Sequence, residues 1–217
     1  MTDREVVNET IKYAKKYHNN LEYKNLMFIY KDYSDKFSYF EVAFLPKNFL
    51  HLTGLTLNNR TVRGAEDFYR LALNGRLNTS HFTQNKNGQN TTRRNARNIE
   101  RKFLALSYNM EIHINAREFG DYIHMGGNLN TEKLCGNSNA CLGFILSGGE
   151  YLPNTNLKID VRDYTEKPYT VLFVLRKDRR DTHYNEITYA NSNFNFQTLH
   201  LTEILSDKLT DAAIQSI

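Results

Sequence analysis

A histidine and a threonine two residues apart, His51 and Thr53 in the run FLHLTG, are the first pair in this chain equipped for chemistry. Read as a strand, the run alternates its side chains between two faces. Phe49, His51 and Thr53 then share one side, and Leu50 and Leu52 the other. In YNEITYA, Tyr184, Glu186 and Thr188 alternate onto one polar face in the same way. Just ahead of them lie Arg176, Lys177, Asp178, Arg179 and Arg180, a basic loop at a strand end that suits phosphate contact. A third concentration is RRNARNIERK, from 93 to 102. Arg93, Arg97 and Arg101 recur every four residues, Arg94 and Lys102 widen the stripe, and only Glu100 offsets it. Phosphate attraction follows the local field more than the net charge. Each pattern also has a plain structural reading: a hydrogen-bonded core histidine, a solvated sheet face, an exposed hairpin turn, a solvated helix face.

Other chemistries find little footing. The seven histidines are scattered without ligand spacing. Cys135 and Cys141 are too far apart for the usual zinc pair and have no second pair downstream, so they read as free thiols, with a local disulfide as the alternative in a secreted chain. No phosphate-binding glycine loop, dinucleotide fingerprint or GxSxG elbow is present. The formal charge of +4 permits a nucleic-acid partner without requiring one. The N-terminus is charged and amphipathic rather than signal-like, and no run approaches the ~20 apolar residues of a membrane span. These features predict a soluble, cytoplasmic protein with no membrane contact.

The elements that must carry these residues follow from periodicity. At 217 residues the chain fits one domain, 1–217, with a core from about 26 to 190. Fourteen Tyr and thirteen Phe supply large core side chains. Residues 3–21 have helical spacing. LMFIY (26–30) and YFEVAFL (39–45) read as strands, and FLHLTG as a third or as the end of a bent one. Helices are expected over 61–74, with Phe68, Leu71 and Ala72 inward, and over 93–109, with Ile99, Phe103 and Leu106 inward. A polar loop, 78–92, separates them. CLGFILSGGEYL reads as a hairpin turning at Gly148-Gly149, LKIDV as a strand, YTVLFVLRK (169–177) as the clearest strand, and YNEITYA (184–190) as its partner. FNFQTLHL and an amphipathic helix over 202–215 close the chain. The sum is an α+β fold: an N-terminal helix, a central antiparallel sheet with inserted helices, and a C-terminal helix.

Three pieces in this order, FLHLTG, AEDFYRLALNGRL, and YTVLFVLRK with YNEI behind it, resemble the phage-encoded branch of the barnase–EndoU–colicin–RelE superfamily of ribonucleases. The resemblance runs from about residue 26 to 190. It implies RNA cleavage through the RNA's own 2′-hydroxyl, without metal or cofactor, and it admits an antidote or host protein as a second partner. His51 and Glu186 would be the acid–base pair, in either order, with histidine suited by its pKa near neutrality. Arg176, Lys177 and Tyr184 would steady phosphate charge. Thr53 would orient His51 or bind a phosphate oxygen. Arg93, Arg94, Arg97, Arg101, Lys102, Arg179 and Arg180 would hold the nucleic acid. Two other readings stand beside it. A non-catalytic inhibitor or nucleic-acid binder could use the same fold. An ADP-ribosyltransferase could use His51-x-Thr53, Tyr184 and Glu186 to hold NAD.

Overall fold

A computed structural model describes residues 1–84, 93–123 and 129–193, with only the backbone of 93–96. The expected strand FNFQTLHL, the helix over 202–215 and most of the 78–92 loop lie outside the described residues.

The first helix, α1 (Asp3–Asn20), starts at a reciprocal cap: Thr2 Oγ1 accepts from the Glu5 backbone, and the Glu5 carboxylate accepts from the Thr2 amide. Its buried residues, Val6, Thr10, Tyr13, Ala14 and Tyr17, follow the helical repeat and make one inward stripe. The chain leaves α1 through Tyr23, held at φ +53°, and enters β1 (Lys24–Lys31). β1 pairs antiparallel with β2 (Phe37–Ala43).

FLHLTG is not a strand. Residues Asn48–Thr53 form a short helix, α2, that buries Phe49, Leu50 and Leu52 and ends at Gly54, φ +72°. The glycine after the apolar run is a left-handed helix stop. Asn48 fixes the entry, its side-chain oxygen accepting from the Leu45 amide at 2.9 Å. A two-residue strand, β3 (Thr56–Leu57), pairs with β4 (Phe82–Thr83). Between them α3 (Ala65–Leu73) buries Phe68, Tyr69 and Ala72. α4 (Arg93–Asn109) turns Ile99, Phe103 and Leu106 inward as its spacing predicts.

After α5 (Ile112–Asn115) the chain is mostly strand: β5 (Glu118–Tyr122), β6 (Lys133–Gly136), β7 (Cys141–Ser147), β8 (Glu150–Leu157), β9 (Thr165–Asp178) and β10 (Glu186–Ala190). β7 and β8 turn at Gly148 and Gly149, φ +63° and +85°, a pair of left-handed residues matching hairpin twist. LKIDV is not a strand either: Leu157 ends β8, and Val161 begins a 3-10 turn, Val161–Tyr164.

The sheet runs β1-β2-β8-β7-β6-β5-β9-β10, and β9 also pairs with β1. The fold is therefore α+β, and the predicted central sheet is closed into a seven-stranded barrel with β10 appended to β9. Closure depends on the length of β9. Its first half pairs with β5, and its second half reaches β1 on one side and β10 on the other. The β2–β8 seam is slender, a single parallel pair between Val42 and Tyr151.

Five strands each send an aromatic ring to one place. The Phe40 ring lies 4.5 Å from Phe119, 4.9 Å from Tyr151, 5.6 Å from Phe144 and 6.2 Å from Phe28. This core continues through Phe44 to Tyr17, Phe49 and Tyr69 under the helices. Alternate residues of β1 and β9, Met27, Ile29, Phe173 and Leu175, build a smaller cluster on the other face, joined by Leu172 and by Tyr184 from the chain between β9 and β10. Cys135 and Cys141 are buried and unbonded, and burial pushes the Cys141 thiol up to about 12. Both are packing residues. Among the described residues, no helix is long and apolar enough to cross a membrane.

Candidate active site

The residues singled out by sequence fall into separate neighbourhoods. On β9 and β10, Arg176 and Glu186 are cross-strand partners. Their side chains form a two-pronged ion pair, Nε to Oε2 and Nη2 to Oε1, each 2.7 Å. Arg176 Nη1 also donates to the carbonyl of Asn20 at 3.3 Å, so the pair grips the last turn of α1. Thr188, on the same strand, donates to the carbonyls of His113 (2.6 Å) and Val174 (3.1 Å).

Tyr184 does not share this face. It is 1% exposed in the smaller cluster, on the other side of the sheet from Glu186. The chain runs irregularly between Tyr184 and the start of β10, which breaks strict alternation. Burial pushes the Tyr184 phenol up, and neighbouring Glu41 adds to it. Lys177 lies over the Tyr184 ring, 5.0 Å from its centre, and donates to the Thr182 carbonyl. Arg179 pairs with both oxygens of Glu150 at 2.9 and 2.6 Å, while Arg180 is exposed.

His51 is exposed on α2. Thr53 is buried, its hydroxyl donating to the Leu50 carbonyl (2.7 Å) and accepting from the Leu55 amide (3.2 Å). Its hydroxyl closes the helix end instead of orienting His51, because the two residues are not on a strand. The NAD reading loses its His-x-Thr strand for the same reason. α2 packs mainly on β8, α3 and α4, whereas β10 packs on β9 and α5. Among the described residues, no hydrogen bond or ion pair joins His51 to Glu186.

Of the basic stripe, the side chains of Arg93 and Arg94 lie outside the described residues. Arg97 and Arg101 are exposed, opposite the buried Ile99 and Phe103. Lys102 crosses Gly54 and donates to Asn156 O at 3.0 Å and to Thr155 Oγ1 at 3.4 Å. Asn156, fully buried, ties this corner together. Its amide donates to the carbonyls of Leu52 (3.1 Å) and Lys102 (2.8 Å), and its oxygen accepts from Asn109 (2.6 Å).

A buried carboxylate contacted by a histidine involves residues that the sequence patterns did not single out. His18 and Glu22 are one helical turn apart where α1 ends. Glu22 turns inward, its side chain 3% exposed, and its Oε2 accepts from His18 Nδ1 and from the Tyr69 hydroxyl, the latter at 2.9 Å. Arg70 Nη1 stands 3.4 Å from Oε1, which is buried and makes no hydrogen bond. Arg70 also reaches Tyr23 Oη and Glu66, both at 3.4 Å. Burial, with the Glu22 bond next, pushes the Tyr69 phenol well up, so it stays a donor. A carboxylate accepting from Nδ1 places the ring proton there and leaves the lone pair of a neutral imidazole on Nε2. The ring is 53% exposed. Arg70 continues into an adjacent groove of about 360 Å3 that Arg63 and Arg76 also line.

His113 is a different case. It is 8% exposed, its Nδ1 has no hydrogen-bond partner, and burial followed by the Arg176 charge lowers its pKa from 6.5 to about 4; Glu186 and Glu111 oppose this weakly. Between pH 4 and 6.5 the unfolded chain binds a proton that the folded one refuses. Stability from this group is thus complete above about pH 6.5 and is lost as pH falls toward 4, a gap worth about 3 kcal/mol. Urea midpoints should therefore drop between pH 7 and pH 4.5, and His113→Gln should flatten the drop.

A helical layer thus covers a closed, mostly antiparallel sheet, with an imidazole–carboxylate pair and arginines where the first helix ends. The chain belongs to the PBECR4 family, phage-Barnase-EndoU-ColicinE5/D-RelE like nuclease 4, whose model matches residues 11–193. No curated protein and no solved structure matches it.

Proposed function

We propose that this domain cleaves RNA without a metal ion, using the ribose 2′-hydroxyl as nucleophile and His18 as the proton carrier. The observation that carries this reading is the His18–Glu22–Tyr69 arrangement. Among the described residues, no other histidine is bonded to a carboxylate. Glu22 orients the ring, and Tyr69 and Arg70 hold Glu22. His18 Nε2 takes the 2′-hydroxyl proton, the 2′-oxygen bonds to phosphorus, and the bond to the 5′-oxygen breaks. Solvent protonates the departing oxygen, leaving a 2′,3′-cyclic phosphate and a 5′-hydroxyl end. Arg70, with Arg63 and Arg76 in the adjoining groove, meets the charge that builds on phosphate.

Glu186 and Arg176 act in this account as positioning residues. Glu186 fixes Arg176, and Arg176 holds the Asn20 carbonyl two residues beyond His18. His51 is exposed and has no part in this mechanism. Family membership supports the reaction class. The test is labelled RNA with purified protein in excess chelator: shortened products with cyclic phosphate ends are expected. Binding without cleavage under any salt condition would leave a non-catalytic binder on a nuclease fold.

A further inference from the structure

A second concavity, separate from the His18 arrangement, lies where the end of α2, the middle of α4 and the chain leaving β8 meet. It measures about 330 Å3. Ile99, Leu157 and Ile159 make apolar wall, and Arg101, Lys102 and Lys158 stand around it. No acidic side chain is among its described lining residues. Arg101 and Lys158 meet neutral acceptors, the Lys158 carbonyl (3.4 Å) and the Asn139 carbonyl (2.8 Å). Lys102 reaches the far wall because residue 54 is glycine. A Cβ there would lie 2.3 Å from Lys102 Cδ, and φ is +72°.

We infer that this cleft takes one unstacked nucleobase against its apolar wall, with the attached phosphates on the three cations, so that the domain engages nucleic acid as a single strand. The inference rests on the reading of the chain as an RNA-acting domain and adds a subsite to it. Its size is at the low end for ligand pockets, about 300–1,000 Å3, which suits a single nucleotide. The chemistry discriminates as well. A base in a duplex offers only its edges, while an apolar wall accepts the face of a flipped or single-stranded base. The surrounding cations give salt-dependent backbone attraction. The buried Asn156 network holds α2, α4 and β8 in fixed relation, so the cleft is built before ligand arrives.

The test is fluorescence anisotropy with the full chain and a labelled single-stranded 2′-deoxy oligonucleotide, across a salt series. That probe has no 2′-hydroxyl, so binding is read without cleavage. Single strand should bind at least tenfold tighter than the matching duplex. Arg101→Gln with Lys102→Gln should weaken binding and reduce the slope of log K against log salt by about 1.4, two phosphate contacts at about 0.7 each. Lys158→Gln, outside α4, should reduce it by about 0.7 should the double variant fail to fold. Equal affinity for duplex, or an unchanged salt slope in both variants, would overturn the inference while leaving the cleavage reading intact. Binding preserved in a protein that never cuts RNA would sink the cleavage reading alone.

Discussion

His18→Ala should lower RNA cleavage by about 10²–10⁴-fold, the range that a positioned proton carrier supplies. The fold should survive. The ring is half exposed, and among the described residues its bond is to Glu22, which keeps Tyr69 and the nearby Arg70. Thermal midpoints of wild type and variant should accordingly agree within a few degrees. Changing Glu22 itself is a poorer probe. Removing its carboxylate leaves the buried Tyr69 phenol without its acceptor and takes one of two carboxylates from Arg70, and that costs stability as well as orientation. His18 separates chemistry from folding, and a wild-type rate in the alanine variant would remove it from the mechanism.

The largest effect on stability should come from the barrel centre. Phe40→Ala is expected to cost about 3–5 kcal/mol, the cavity-and-transfer cost of deleting a buried aromatic. Phe40 is 4% exposed and lies against rings from β1, β5, β7 and β8. It is also two residues from Val42, half of the single β2–β8 pair. A loss of this size is a large share of the 5–15 kcal/mol of a typical domain. Urea unfolding checks it: the midpoint should fall with an unchanged slope. Leu104→Ser, at a site 54% exposed, should shift stability by no more than about 0.5 kcal/mol. Comparable midpoints for the two variants would mean that the aromatic cluster does not hold the barrel.

Long periodic segments were legible before any coordinates: α1, α3 and α4 by their apolar stripes, β9 by its branched run, and the Gly148-Gly149 hairpin by its turn residues. The FLHLTG error has a physical cause. Six residues hold less than two helical turns, so alternation and helical spacing cannot be told apart. Gly54 was the available cue, since a glycine after an apolar run stops helices. Barrel closure was not legible, because it rests on β9 meeting β1, with pairs as distant in the chain as Lys24 and Asp178, and on one parallel pair, Val42 with Tyr151. The irregular backbone after Tyr184 reversed its face, which no alternation rule anticipates.

The candidate site divided in the same way. Arg176 and Glu186 stood out singly in the sequence, and strand pairing over a short loop joins them as an ion pair that neither pattern announced. His18 and Glu22 stand four apart, a spacing visible in the sequence, yet α1 carries many polar residues at that spacing. Their meaning comes from Tyr69 and Arg70, which only the packing of α3 on α1 delivers.

The most direct measurement is chemical rescue. RNA cleavage by His18→Ala is followed while free imidazole is added. A small imidazole entering the vacated space beside Glu22 should restore cleavage toward wild type, in proportion to its concentration and then to saturation. A variant that cuts at full rate unaided, or that stays inert at every imidazole concentration, would contradict proton transfer at this position.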